Sequence, residues 1–402
     1  MYLRYTYIEK TDLKIMVPEF IEREIFKQSL LHPWVFQQIV RPQAYKRAGG
    51  DAEAVHALAL ETLNKYVDVV RDVAPRFQND ALKVRFCGKE IMPFGTAAGI
   101  DKNADALEPL SYLFGFQETG TIIVPKREGN KRPRMVADVA HGNLYNAQGF
   151  PSKGFDYALP KIREYREHGG QGVILANICG IPPESDQLEV ARHDLNTLVQ
   201  HLTPYIDGFV WNPFSPNTSA LKLLRTPDEF KRSIDLIAQY APTKVKLVKM
   251  GPYEGTAQER DPWMQLAHAW IDNGGDGLVA VNTKMVDKTE VPLANWGYPT
   301  AGRSGRALQP YRQRAISESR REFPNAVLIA TGGIDSTHQA WEAFHDGATL
   351  LEGYSPYTKY GFGLLRTMSQ GIENVLKYSN YNDLASLTLA MNTVAKIRGS
   401  SR

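Results

Sequence analysis

Asp207-Gly208-Phe209-Val210-Trp211-Asn212-Pro213-Phe214-Ser215-Pro216-Asn217-Thr218 changes character halfway along. Residues 207–211 are an apolar run of the length of a short buried strand. The run then breaks into a turn that carries two amides and two hydroxyls. Pro213 and Pro216 fix φ and cannot continue a ladder, so these polar groups are held on a stiff loop at a strand end. A proline turn whose Asn and Ser cap their own backbone is the plainer reading of the same residues. Four hydrogen-bonding side chains at one strand terminus point instead to a site.

The same grammar of strand, loop and helix repeats outward from this stretch. From residue 90 onward the candidate strands are 93–98, 117–124, 172–176, 208–211, 244–249, 277–281, 326–330 and 349–352. Helical periodicity fills 186–201, 227–239, 259–272, 309–321, 337–345 and 363–376, and longer connections occupy 125–151 and 284–308. Eight β/α units predict a closed parallel (β/α)8 TIM barrel rather than an open doubly wound sheet. No GxGxxG follows the first strand, which further disfavours a dinucleotide-binding open sheet.

The 402 residues leave room for one large α/β domain with an appendage, and 43% hydrophobic with 23% charged residues is ordinary for a soluble globular protein. A net charge of +3 gives no reason to expect nucleic acid as a partner. The two cysteines, Cys87 and Cys179, lack metal-ligand spacing and are expected to be free thiols in a reducing compartment. Neither a signal peptide nor a bilayer-length apolar run is evident, so a soluble or peripherally attached protein is expected. The nine histidines include no HExxH, and no Walker-type lysine loop is present, so no metal site is expected.

Residues 1–85 read as a helical extension, 86–378 as the barrel and 379–402 as a helical tail. From Pro18, the residues Phe20, Ile21, Ile25, Phe26, Leu30 and Leu31 recur at helical steps. Trp34, Phe36 and Ile39 follow, with Arg41, Lys46 and Arg47 close behind; after Gly49-Gly50-Asp51 a longer helix is expected over 52–73. Aromatic and basic residues on such a hairpin suit either a membrane interface or a cap packed on the main domain.

In a barrel of this kind the working residues stand at the C-terminal strand ends. Those positions hold Ala97, Ala98, Gly99 and Lys102 after the first strand, Asn177 after the third and the Asn212 turn after the fourth. Lys249 ends the fifth, Asn282 and Thr283 follow the sixth, Thr331-Gly332-Gly333 the seventh and Gly353-Tyr354-Ser355 the eighth. Lys249 lies in an apolar strand, where an unpaired ammonium is costly, so a charged ligand or partner is expected beside it. Gly332-Gly333 ahead of a helix exposes backbone N–H groups at the position where such barrels bind phosphate. Gly302, Ser304 and Gly305 form another small-residue loop that can approach it. A phosphorylated cofactor filling the mouth, with a small anionic hydrogen-bonding substrate beside it, follows from these positions.

The ordered set Ala97-Ala98-Gly99-Ile100-Asp101-Lys102-Asn103, Gly129-Asn130-Lys131-Arg132-Pro133-Arg134, Asn146-Ala147-Gln148-Gly149-Phe150, Ser215-Pro216-Asn217-Thr218, Asn282-Thr283 and Thr331-Gly332-Gly333 resembles dihydroorotate dehydrogenases over roughly residues 50–375. That resemblance implies an FMN-containing (β/α)8 barrel oxidising dihydroorotate to orotate in pyrimidine biosynthesis. Serine at position 215, and the N-terminal extension with Ala54-Val55-His56-Ala57-Leu58-Ala59, are similar to the membrane-associated, quinone-reducing class. It implies Ser215 as the base for the C5 proton, with Lys102 between substrate and flavin and Lys249 stabilising the reduced flavin. Asn146, Asn212, Asn217, Asn282 and Thr283, with Lys102, would bind substrate. Ala97, Ala98, Gly99, Thr121, Asn177, Asn212, Lys249, Ser304, Gly305, Gly332, Gly333, Tyr354 and Ser355 would hold FMN. Peripheral membrane attachment on a cytoplasmic or matrix-type face, otherwise a cytoplasmic location, is implied with it.

This sequence departs from the family pattern at several points. Pro213-Phe214 replaces small residues, Val124-Pro125 replaces Thr-Pro, and Pro151 replaces an asparagine. Cys179-Gly180 replaces Gly-Lys, and Ala137 stands where the quinone class carries an arginine, while Lys284 and Arg303 add charge near the mouth. A diverged barrel flavoenzyme with another cyclic substrate or acceptor, and a barrel scaffold without turnover, are the alternatives.

Overall fold

The apolar runs pair in parallel and close on themselves. The structure, a computed structural model, describes residues 5–6, 17–183, 187–216 and 218–399. Its eight barrel strands are β1 (Phe94–Thr96), β2 (Phe116–Ile122), β3 (Val173–Ile178), β4 (Gly208–Trp211), β5 (Val245–Met250), β6 (Gly277–Ala280), β7 (Val327–Thr331) and β8 (Leu350–Gly353). Each lies beside its sequence neighbour, and β8 pairs with β1 to complete the closure. The expected (β/α)8 architecture is the observed one.

Packing against the outer helices fixes which way each strand faces. Trp211, at the end of β4, stacks on Trp270 with centroids 5.8 Å apart and meets Phe230 edge-on at 4.9 Å. Those partners belong to helices Ala257–Ile271 and Pro227–Tyr240. Side chains alternate along a strand, so anchoring Trp211 outward turns Asn212 toward the barrel axis. Three buried aromatics of this size make the orientation expensive to reverse, since truncating one costs about 3–5 kcal/mol.

The two long connections are not simple loops. Met135–Asp138, Asn143–Asn146, Lys284–Asp287 and Thr300–Gly305 form a four-stranded antiparallel sheet beside the barrel mouth. Tyr145, Val286, Trp296 and Ala301 make its own small apolar core.

The extension folds as helices Glu19–Leu31, Arg41–Arg47, Ala52–Lys65 and Val67–Val73. The single helix expected over 52–73 is interrupted at Tyr66, whose φ of −116° and ψ of 38° leave the helical region. Asp51 caps Ala52–Lys65 by accepting from the Glu53 N–H at 2.9 Å. Leu30, Leu31 and Val35 are buried, while Phe20 and Trp34 remain 63% and 60% exposed.

Candidate active site

The C-terminal strand ends and the antiparallel sheet enclose a cavity of about 1120 Å³, counting space open to solvent. Lys102, Asn146, Asn212, Ser215, Lys249, Asn282 and Thr283 all line it. So do Ala97, Ala98, Gly99, Thr121, Ser304, Gly305, Gly332, Gly333, Tyr354 and Ser355. Asn177 sits one layer below, fully buried, and Asn217 lies outside the described residues. Gln148 and Phe150 of the Asn146–Phe150 motif also line the cavity, as do Met135, Leu144 and Leu308, which the sequence did not single out.

Beneath the cavity a polar chain crosses six strands or strand ends. Asn282 donates to the Asn212 side-chain oxygen at 3.0 Å, and Asn212 donates to Asn177 at 3.4 Å and Thr121 at 3.3 Å. Asn177 in turn donates to Glu118. Lys249 Nζ then lies 2.7 Å from Glu118 Oε2 and 2.8 Å from Glu352 Oε1. Glu118 and Glu352 went unnoticed in the sequence because each is the single acidic residue of its strand. A buried Lys249 calls for a charged partner, but the sequence does not say which residue supplies it.

That trio settles its own protonation. Burial alone would lower the Lys249 pKa, but the two carboxylates outweigh it and push it up to about 12. Burial also opposes ionisation of Glu118, yet Lys249 holds its carboxyl below the usual range. Burial, then the neighbouring Glu118 charge, raises Glu352 well above that range. Elsewhere at the mouth, burial brings Lys102 down to about 8, leaving its ammonium mostly charged at neutral pH.

The loop carrying Ser215 is clamped from behind. Arg225 Nε donates to the Pro213 carbonyl at 2.9 Å and Nη2 to the Ser215 carbonyl at 3.3 Å. Its guanidinium lies 4.7 Å from the Phe214 ring centroid, a cation–π contact. The rim also closes tightly at Gly302. A Cβ there would stand 2.7 Å from Thr283 Oγ1, 3.0 Å from Pro216 and 3.3 Å from the Asn146 amide. Lys284 and Arg303 do not add free charge to the mouth, because Glu254 and Glu290 pair with them.

One further contact ties the extension to this rim. Arg134 grips Glu53 with both arms, at 2.9 and 2.7 Å, and donates to the Glu128 and Asn130 carbonyls at 2.6 Å each. Behind it His56 stacks on Tyr354 with centroids 5.6 Å apart, and burial brings the His56 pKa down to about 4.

An eight-stranded parallel barrel with a glycine-bearing rim, a polar mouth and a dry charged floor belongs among the ligand-binding (β/α)8 enzymes. The chain is a member of the dihydroorotate dehydrogenase family, whose model matches residues 81–376, and it is an oxidoreductase of that type. It is 31% identical over 284 residues to a dihydroorotate dehydrogenase (quinone) of Hamiltonella defensa, covering 68% of this chain and 82% of that one. A protein of the same name from Vibrio vulnificus is 28% identical over 333 residues, 80% of this chain and 96% of its own. The fold is also that of a dihydroorotate dehydrogenase from Eimeria tenella crystallised with ferulenol. That match has a TM-score of 0.71 at 24% identity over 83% of this chain and 94% of the other.

Proposed function

We propose that this enzyme oxidises dihydroorotate to orotate, using bound FMN and passing the electrons to a membrane quinone. The observation that carries the reading is the convergence of Lys102, Ser215, Asn146, Asn212, Asn282 and Thr283 on one cavity that also contains the Gly332-Gly333 turn and Ser355. Names borne by the relatives support the substrate and acceptor.

The cavity suits FMN on its own chemistry. Gly332 and Gly333 take φ of +101° and +70°, a turn that other residues enter only with strain. Ser304 and Ser355 hydroxyls meet 2.9 Å apart at the same rim. Backbone donors and hydroxyls there fit a phosphate. Gly332, Gly333, Ser304, Gly305, Tyr354 and Ser355 would hold the phosphate end, and Ala97, Ala98, Gly99, Thr121, Asn177, Asn212 and Lys249 the ring. When bound, FMN supplies the two-electron acceptor and relays electrons to the quinone.

The chain's own residues then do the rest. Lys102, charged at neutral pH, attracts the substrate carboxylate. The amides of Asn146, Asn212 and Asn282, with Thr283, orient the substrate ring, and Asn217 joins them in this reading. Ser215 Oγ takes the C5 proton. A serine hydroxyl is a weak base, so it depends on orientation and exclusion of water. Arg225 and the close packing around Gly302 supply the orientation.

Residues 1–85 form the quinone- and membrane-facing part in this reading, 86–378 the catalytic barrel and 379–402 a tail. Phe20, Trp34 and Ile39 are exposed at 63%, 60% and 40%, on a segment that also carries Lys27, Arg41, Lys46 and Arg47. Apolar side chains beside basic ones suit the surface of an anionic membrane. No helix among the described residues is long and apolar enough to cross one. Turnover of the purified, FMN-loaded protein with dihydroorotate and a short-chain quinone tests the assignment. Orotate formation is expected, and none with any quinone, while an artificial dye still supports turnover, would remove the acceptor.

A further inference from the structure

We infer that Glu53, carried on the extension's helix Ala52–Lys65, is a positioning residue for the substrate: by holding the Arg134 guanidinium it fixes the Asn146–Phe150 segment at the barrel mouth. This rests on the reading that dihydroorotate binds in that cavity.

The geometry runs through Arg134, which is 6% exposed, with Glu53 at 8%. A guanidinium carries five N–H donors, and burying them unmet is costly. Here Nε and Nη2 donate to Glu53 at 2.9 and 2.7 Å, and Nη1 donates to the Glu128 and Asn130 carbonyls. One side chain thereby gathers the helix and the turn before Arg134 onto a single point. The backbone carries the constraint onward. The Arg134 carbonyl accepts from the Ala147 N–H at 2.8 Å, one step beyond the Met135–Asn146 pair of the antiparallel sheet. Asn130 donates its N–H to the Gln148 carbonyl at 2.9 Å and its side-chain amide to the Ala147 carbonyl at 2.7 Å. These chains approach so closely that a Cβ at Gly149 would stand 2.8 Å from the Asn130 side chain. Asn146, Gln148, Gly149 and Phe150 line the cavity, so the segment anchored through Glu53 is part of its wall.

The charges agree with the geometry. Burial opposes ionisation of Glu53, but Arg134 prevails and holds the carboxyl below its usual range. Lys102, on the cavity wall, is brought down to about 8 by burial; Glu53 favours its ammonium, whereas Arg134 and Arg132 oppose it. Arg132 also reaches the Glu53 carboxylate, at 3.2 Å. His56, on the same helix as Glu53, is neutral near pH 7, since burial brings it down to about 4. Glu53 is therefore the carboxylate that offsets two arginines beside the lysine that attracts the substrate. It belongs with the rim, although the extension delivers it, and residues 1–48 take no part in this contact.

The test uses the full-length, FMN-loaded protein and Glu53→Gln, which keeps the shape and removes the charge. Anaerobic flavin reduction at varied dihydroorotate separates affinity from limiting rate. Affinity should fall about tenfold while the limiting rate stays within about threefold. Binding that needs the Lys102 ammonium should also fade from a lower pH in Glu53→Gln than in the parent, whereas Glu53→Asp should keep the parent's pH dependence. Hydrogen exchange, read without substrate, should quicken about tenfold at the Asn130 and Ala147 amides of Glu53→Gln. Parental affinity, weakened binding with the parent's pH dependence, or unchanged exchange at both amides would each overturn the role. Should Glu53→Gln fail to fold, Glu53→Asp decides, with binding about threefold weaker expected and parental affinity contradicting it. A parent that dihydroorotate does not reduce sinks the substrate reading, and exchange then judges the anchoring alone. A parent reduced normally beside an equally competent Glu53→Gln sinks only the role of Glu53.

Discussion

At the barrel floor Glu118, Lys249 and Glu352 are buried together, whereas the N-terminal helices leave Phe20 63% and Trp34 60% exposed. The floor is knitted across the barrel by amide and ion-pair contacts, so moving one member disturbs strands on opposite sides. The extension is attached differently, by apolar packing of Leu30, Leu31 and Val35 and by the two-armed Arg134–Glu53 bridge. Chemistry that needs fixed geometry is placed where packing over-determines it. The exposed face of the extension is less constrained. The first half of the reaction should therefore depend on the floor and rim, and the second half on the extension.

The sharpest break between the two comes from Ser215→Ala. It should keep FMN but slow flavin reduction by about 10²- to 10⁴-fold, the usual weight of a general base, while quinone reoxidation is unchanged. Rapid-mixing absorbance reads both phases, and undiminished reduction would take Ser215 out of the role. Lys249→Met should destabilise the fold by about 3–5 kcal/mol, because it strands buried carboxyls without their counter-charge. Chemical denaturation measures that, with a parallel loss of bound flavin. Its pH dependence follows from the raised Lys249 pKa: the lysine's stabilising contribution is complete below its unfolded value of 10.5 and fades as pH climbs through about 12.

Removing residues 1–48 sharpens the contrast from the other side. This deletion spares helix Ala52–Lys65 and the Glu53–Arg134 bridge, so flavin reduction should stay within about twofold while quinone reoxidation falls about tenfold. Normal quinone turnover in the truncated protein would make the segment merely structural. The smallest effect is expected of Trp34→Ala, a loss of about threefold in partitioning onto anionic vesicles measured by sedimentation, with flavin reduction untouched.

Much of this division was legible in the sequence. Most barrel strands stand out because they are buried on both sides and read as short apolar runs, Phe116–Ile122 with its Gln, Glu and two Thr being the exception. The expected strand over 244–249 is observed as Val245–Met250, and that over 326–330 as Val327–Thr331. The antiparallel sheet was hidden for the opposite reason. Lys284–Asp287 and Thr300–Gly305 mix charges, glycines and a half-exposed face, leaving no period to read. Burial told that Lys249 needed a partner, but only the three-dimensional arrangement of β2, β5 and β8 could say that the chain itself supplies two. Asn217 cannot be compared in this way, as it lies outside the described residues.

The most direct test of the account is anaerobic mixing of the purified, FMN-loaded protein with dihydroorotate while the long-wavelength flavin absorbance is followed. Rapid bleaching before any quinone is added is the predicted result. A flavin that stays oxidised with dihydroorotate but bleaches with another dihydropyrimidine-like acid would contradict the substrate assignment, and point to Pro213-Phe214 and the Gly302 contact as the place where it changed.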